Sequence, residues 1–201
     1  MIGPNKNKQG FTLIETFVAV LILVFAVIAP LGLLARAISD GNFAKNQVIA
    51  YFLAQEGIEL VINKRDNNIA PSGEGEIDPN SWLNDMAPCS ANGCNPTLEL
   101  EFRACSNTDM EAVDYGGRGN CQLYLTGNED ANTYSVGNFN TDTPSLFSRQ
   151  VKISDIVGKP GQRLVTSKVI WSEKNKINKT EISTIIQNLL SPPPSAVEVE
   201  F

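Results

Sequence analysis

The pattern of apolar and polar positions changes character along the chain, and each change predicts a different element. From Phe11 to Ala35 the only polar side chains are Thr12, Glu15 and Thr16. Such a run predicts a helix of about 37 Å at 1.5 Å per residue, enough to cross a bilayer core of about 30 Å. Pro30 lies inside it with Gly32 close by. Proline removes a helical hydrogen bond, so the segment is either an intact kinked helix or one that bends and melts on packing. Residues 36–66 then adopt a helical period. Ile49, Phe52, Leu53, Leu60 and Val61 recur at three- and four-residue spacings, with Gly57 in the same line. This predicts an amphipathic helix continuing from the first. Asp40-Gly41-Asn42 is a point where it is expected to break or bend, and Asn67-Asn68 followed by Pro71-Ser72-Gly73 ends it.

Beyond this helix the periodicity fades. Residues 66–145 are rich in Gly, Asn, Ser, Asp and Pro, with short strand candidates at Leu98–Arg103 and Cys121–Leu125. The second leads through a polar turn around Gly127–Asn132 into Tyr134-Ser135-Val136, a hairpin pattern. From Phe147 the period becomes two. Phe147–Ile153, Leu164–Trp171 and Glu181–Ile186, the last two joined by a polar turn over Lys174–Asn178, predict an antiparallel meander with one core face. A long helix packed on such a sheet is an α+β fold. The stretch from Ser191-Pro192-Pro193-Pro194 to Phe201 reads as an extended proline-rich tail.

Charge and cysteines sharpen this picture. Net charge is −6 and there is no histidine. That excludes His-based triads and His metal sites, and acidity argues against nucleic acid as a partner. Lys6 and Lys8 precede the apolar run, whereas Asn, Asp and Gln dominate after it. By the positive-inside rule the residues before the helix are cytoplasmic and the rest lies outside. Cys89, Cys94, Cys105 and Cys121 follow the apolar segment. Three disulfide pairings are open, with Cys89–Cys94 and Cys105–Cys121 favoured because each closes a short local loop. Free thiols or a four-thiolate zinc site are the alternatives, although the cysteines are not spaced as paired C-x-x-C knuckles.

The start of the apolar run carries the most specific motif. Gly10-Phe11-Thr12-Leu13-Ile14-Glu15, behind a short basic leader, resembles the prepilin signature of type IV pilins and type II secretion pseudopilins. The resemblance implies cleavage between Gly10 and Phe11 by a prepilin peptidase, N-methylation of Phe11, and assembly into a filament. It also implies a stay in the inner membrane before assembly, and an assembly platform protein and other pilin subunits as partners. Leu53-Ala54-Gln55-Glu56-Gly57-Ile58-Glu59, followed by Ile62-Asn63-Lys64-Arg65-Asp66, is similar to a helix of one minor-pilin subgroup. The size of the disulfide-bearing region fits a priming or tip position.

Physical reasons stand beside the resemblance. A lone carboxylate near the end of a membrane helix is costly and needs a partner, or must snorkel to the interface. Cleavage before Phe11 would create a cationic amine in the same layer, so Glu15 could set the axial register between packed helices. Gly10 would let a protease approach the backbone. The expected organisation is therefore a leader (1–10), a membrane and assembly helix (11–35), an amphipathic helix (36–66), an extracytoplasmic pilin-like domain (67–190) and a tail (191–201).

Other chemistry is weaker. Glu74, Glu76 and Asp78, or Asn128, Glu129, Asp130 and Asn132, lack the spacing of a calcium loop and read as solvated loop residues. Asn178-Lys179-Thr180 fits a glycosylation sequon but reads as part of a turn. No G-x-S-x-G or S-x-x-K occurs, so catalysis is not expected, and no cofactor is implied. The competing expectation is a filament-displayed binding module, an adhesin or DNA-uptake receptor, with acidity arguing against the latter.

Overall fold

A computed structural model describes residues 10, 12–70, 81–106, 110, 120–126, 133–136, 143–173 and 176–189. The elements are a helix α1 (Leu13–Ile69), a 3-10 turn (Ser81–Leu83), a short helix α2 (Ala87–Ala91), and seven strands. These are β1 (Cys94–Pro96), β2 (Phe102–Ala104), β3 (Gln122–Thr126), β4 (Thr133–Ser135), β5 (Thr143–Asp155), β6 (Gln162–Glu173) and β7 (Lys176–Gln187). The architecture is the expected α+β arrangement, a long helix on an antiparallel sheet. The chain divides into two compact units, residues 1–45 and 46–201.

In the first unit α1 is unbroken. It runs through Pro30 and through Asp40-Gly41-Asn42, where a break was expected. Its large apolar side chains from Leu13 to Leu34 are 41–87 % exposed. Each forgoes about 1.5–3 kcal/mol if left in water, so this surface requires lipid or protein around it. The segment is long and apolar enough to cross a membrane.

In the second unit α1 lies on the sheet through Ala50, Leu53, Ala54, Gly57, Ile58, Leu60 and Val61, all buried. Phe52, expected in this stripe, is 62 % exposed and edge-on to Tyr51. The line that faces the sheet is built on small residues (Ala50, Ala54, Gly57), because they let the helix backbone approach closely. The helix runs on to Ile69, where Asn68 Nδ2 donates to Asn84 O at 2.9 Å and ties its end to the following turn.

The sheet is centred on β5. Along one edge β5 pairs with β6 over nine residues, Phe147↔Trp171 to Asp155↔Arg163. Its other edge is shared between β3 (Gln122↔Ser148) and β1 (Cys94↔Val151). The meander continues as β6–β7, paired from Gln162↔Gln187 to Glu173↔Lys176. Alternation puts Phe147, Arg149, Val151 and Ile153 on the helix side of β5, beside Trp171, Val169, Ser167 and Val165 of β6. Two core clusters form under α1, one around Ile58, Val61, Val151 and Val165, the other around Ala50, Leu53, Phe147 and Trp171.

Several strand limits differ from expectation. The β3–β4 hairpin is present, with Leu125↔Tyr134. The Leu98–Arg103 candidate is instead a turn followed by β2. Leu98 is exposed and Leu100 takes a positive φ of 62°. β1 has no apolar alternation and no counterpart in the sequence reading. Asn178-Lys179-Thr180 lies within β7, not in a turn, because β7 already begins at Lys176. The acidic clusters at 74–78 and 128–132 lie outside the described residues.

Candidate functional site

The residues singled out in the sequence fall into the two units. Gly10, Glu15 and Pro30 belong to the first, and the four cysteines to the second. Phe11 and the leader before Gly10 lie outside the described residues. Gly10 is exposed, with open space around its α-carbon.

Thr12 starts the apolar helix. Its Oγ1 accepts from Glu15 N at 3.3 Å, and its carbonyl accepts from Thr16 N at 3.2 Å. This is one half of a capping box, the Thr-x-x-Glu pattern in which a side chain satisfies a helix-terminal donor. The Thr12-x-x-Glu15 spacing is the sequence signal for this cap. Thr16 Oγ1 donates to Leu13 O at 2.9 Å. Both hydroxyls are thus turned to the backbone. Glu15 is exposed in the first turn, where the helix dipole favours an anion. Among the described residues its carboxylate has no hydrogen-bond or ion-pair partner.

In the second unit both local disulfides are present, Cys89–Cys94 and Cys105–Cys121. The first joins α2 to β1. The second packs with Met110 and Ile170 on the sheet face away from the helix. Gln150 Nε2 holds this region by donating to Asn92 O at 3.1 Å and Cys105 O at 2.8 Å. The chain passes so close that a Cβ on Gly93, whose φ is 97°, would lie 2.7 Å from Gln150 Cγ.

The most unusual side chain is one the sequence reading did not single out. Arg149 lies on the apolar side of β5 and is 1 % exposed. Its Nε donates to Asn95 Oδ1 at 3.1 Å, and Nη2 to Pro96 O at 2.8 Å. Nη1 donates to Glu56 Oε2 at 3.1 Å and to Leu53 O at 3.3 Å. Asn95 Nδ2 in turn donates to Cys121 O at 3.2 Å. One guanidinium therefore joins α1, β1 and β5, and Asn95 extends the network to the start of β3. Burial lowers the Arg149 pKa from its ordinary value, and the Glu56 carboxylate beside it acts in the opposite direction. The signal was available: an arginine at an inward position of a period-two pattern, Phe147-x-Arg149-x-Val151-x-Ile153.

The helix can reach this network only because residue 57 has no side chain. A Cβ there would lie 2.7 Å from Ser167 Oγ, 3.0 Å from Val151 Cγ2 and 3.1 Å from Arg149 Cδ. A small open depression of about 250 Å³ is lined by Ser90, Ile153, Ser154, Asp155 and Arg163. Its charged groups already pair, Arg163 Nε lying 2.9 Å from Asp155 Oδ1. Among the described residues no group of three or more Cys, Asp or Glu is placed to hold a metal ion. Comparison with known proteins finds no matching family model, curated protein or solved structure.

Proposed function

We propose that this chain is a prepilin-type structural subunit, a minor pilin or pseudopilin that is cut after Gly10 and assembles into a type IV pilus or type II secretion-like filament. One observation carries the reading: a Gly10-Phe11 step and Glu15 stand at the capped start of an exposed apolar helix. That same helix runs on without a break into the sheet-packed domain.

Three physical points support it. The side chains from Leu13 to Leu34 need an apolar surround, which a bilayer supplies before assembly and neighbouring helices supply after it. Cleavage before Phe11 leaves Thr12 in place, so the helix start keeps its cap while a new cationic amine appears beside it. Glu15 is then the acid that matches that amine, its own or a neighbour's. In a packed bundle the pair is strong and an unpaired charge is costly, so only axial offsets that join amine to carboxylate are favoured. The partners on this reading are prepilin peptidase, the assembly platform protein and other pilin subunits. Residues before the helix are cytoplasmic, and the sheet-bearing domain lies on the far side of the inner membrane.

The test is incorporation. Tagged wild-type and Glu15→Val subunits are expressed in cells that assemble filaments, and sheared filaments are probed for each. Wild type is expected in the filament fraction, with the variant reduced at least about tenfold, as loss of a buried ion pair implies. Equal recovery of both would refute the register role, and absence of both would refute the subunit reading.

A further inference from the structure

The Arg149 network and the Cys89–Cys94 bridge share one short strand. β1 is three residues long, Cys94-Asn95-Pro96. Its first residue carries the bridge to Cys89 in α2. Its next two supply Arg149 with acceptors, Asn95 Oδ1 for Nε and Pro96 O for Nη2. β1 meets β5 at a single pair, Cys94↔Val151. Among the described residues β2 pairs with no strand but β1, so this hairpin has no second strand to lean on. Asn95 Nδ2 donates to Cys121 O at 3.2 Å, which turns Oδ1 toward Arg149. Both Cys89 and Cys94 are fully buried, in the core cluster that Ile58 and Val61 of α1 complete. The bridge thus fixes β1 at the residue next to the acceptors.

The rest of the guanidinium's partners belong to α1. Nη1 donates to Leu53 O and to Glu56 Oε2. Gly57 lies against the arginine stem, where a Cβ would be 3.1 Å from Cδ. With the helix seated, the guanidinium is out of water. A buried cation tolerates this only while its donors are satisfied, and losing one set of partners drives it back toward solvent. Its two β1 acceptors stand one and two residues from Cys94. The side from which it can be rehydrated is the one α1 covers.

We propose that Arg149 makes docking of α1 on the sheet conditional on the Cys89–Cys94 bridge. With the bridge closed, β1 presents both acceptors and the helix seats over a satisfied guanidinium. With it open, β1 leaves the acceptor positions, the guanidinium returns to water, and the helix lifts at Gly57. Closing the bridge joins the two sulfurs and hands two electrons and two protons to a disulfide donor, which leaves as its dithiol. The domain is thereby a redox-sensitive unit whose helix packs fully only after oxidation. A bridge acting through loop closure alone would stabilise the domain whatever side chain stands at position 149. The inference concerns the second unit and is independent of the filament reading.

The test uses the full chain in detergent micelles. Ser167 lies under Gly57, fully buried, and its Oγ has no hydrogen-bond partner among the described residues. Ser167→Cys therefore breaks no bond, and its thiol reports whether the helix has lifted. Its labelling rate with a water-soluble maleimide is measured with the bridge and with Cys89→Ala plus Cys94→Ala, each in the native chain and in Arg149→Met. Labelling in denaturant sets the ceiling below which rates are compared. With Arg149 present, loss of the bridge should speed labelling at least about tenfold. In Arg149→Met it should add less than about twofold, the non-additivity of a coupled pair. A second measurement leaves residue 149 unchanged. The Arg149 Nε proton, followed by NMR in arginine-labelled protein, should exchange with water at least about tenfold faster without the bridge. Equal acceleration of labelling in both backgrounds would overturn the proposal, as would an Nε proton equally protected with and without the bridge.

Discussion

Replacing Arg149 by methionine tests whether the guanidinium, rather than the apolar contacts around it, fixes the helix on the sheet. Methionine fills much of the same volume and removes every donor. Two acceptors are then left buried without their partner, Asn95 Oδ1 and Pro96 O. Each orphaned acceptor costs about 1–3 kcal/mol. Leu53 O keeps its place in the helix ladder, and the Glu56 side chain, 30 % exposed, can turn to water. Against these losses stands one gain, the relief of burying a cation. Burial lowers the Arg149 pKa, so the folded state binds that proton less tightly than the unfolded chain does. Its charge therefore opposes folding below the lowered pKa, and the penalty is relieved only as pH rises through it into the alkaline range. The stabilising part is the set of hydrogen bonds. The net loss for Arg149→Met should be about 3–5 kcal/mol, the usual cost of removing one partner from a buried pair. That corresponds to a fall in Tm of roughly 10 °C for a domain of this size. Near-UV circular dichroism, reporting on the buried Trp171 and Trp82, follows the transition in detergent. Arg149→Lys should lie between the two, keeping charge but losing the fork. A loss below about 1 kcal/mol for Arg149→Met would refute the view that this network organises the domain.

Gly57→Val should destabilise by about 2–4 kcal/mol despite valine's better helix propensity, because its side chain meets Val151 and the clamped stem of Arg149; urea titration measures it. Cys105→Ser with Cys121→Ser should cost about 3 kcal/mol and Cys89→Ser with Cys94→Ser about 2 kcal/mol, following the sixteen- and five-residue separations, and paired Tm measurements give the order. Thr12→Ala should loosen the first turn of α1 by about 1 kcal/mol, read as faster amide exchange at Glu15 with the second unit unchanged.

What the sequence revealed follows from how each element earns its stability. The helix and the β5–β6–β7 meander are specified by repeated patterns, so many residues vote for each and local exceptions do little harm. Pro30 is compatible with an intact kinked helix or a melting one, and Asp40-Gly41-Asn42 with a break or bend; α1 runs through both, because no single poor residue outweighs the helical positions around it. Helical spacing places Phe52 in the packed stripe, yet it is exposed. The line that packs is Ala50, Ala54, Gly57 and Val61, where smallness rather than apolarity sets the approach. β1 could not be read, since Cys94-Asn95-Pro96 has no periodicity; it is held by a disulfide, by Arg149 and by pairing to β2. The local cysteine pairing was legible, because short separations favour it whatever the fold. The Gly10–Glu15 motif is legible for a different reason: its residues are spaced along one strand of sequence and need no tertiary context.

The most direct test of the filament reading is the intact mass of the protein extracted from membranes of cells that contain prepilin peptidase. The expected species lacks residues 1–10, begins at Phe11 and carries one added methyl group on its amine. Protein that still begins at Met1 in those cells, with Gly10-Phe11 uncut, would contradict it.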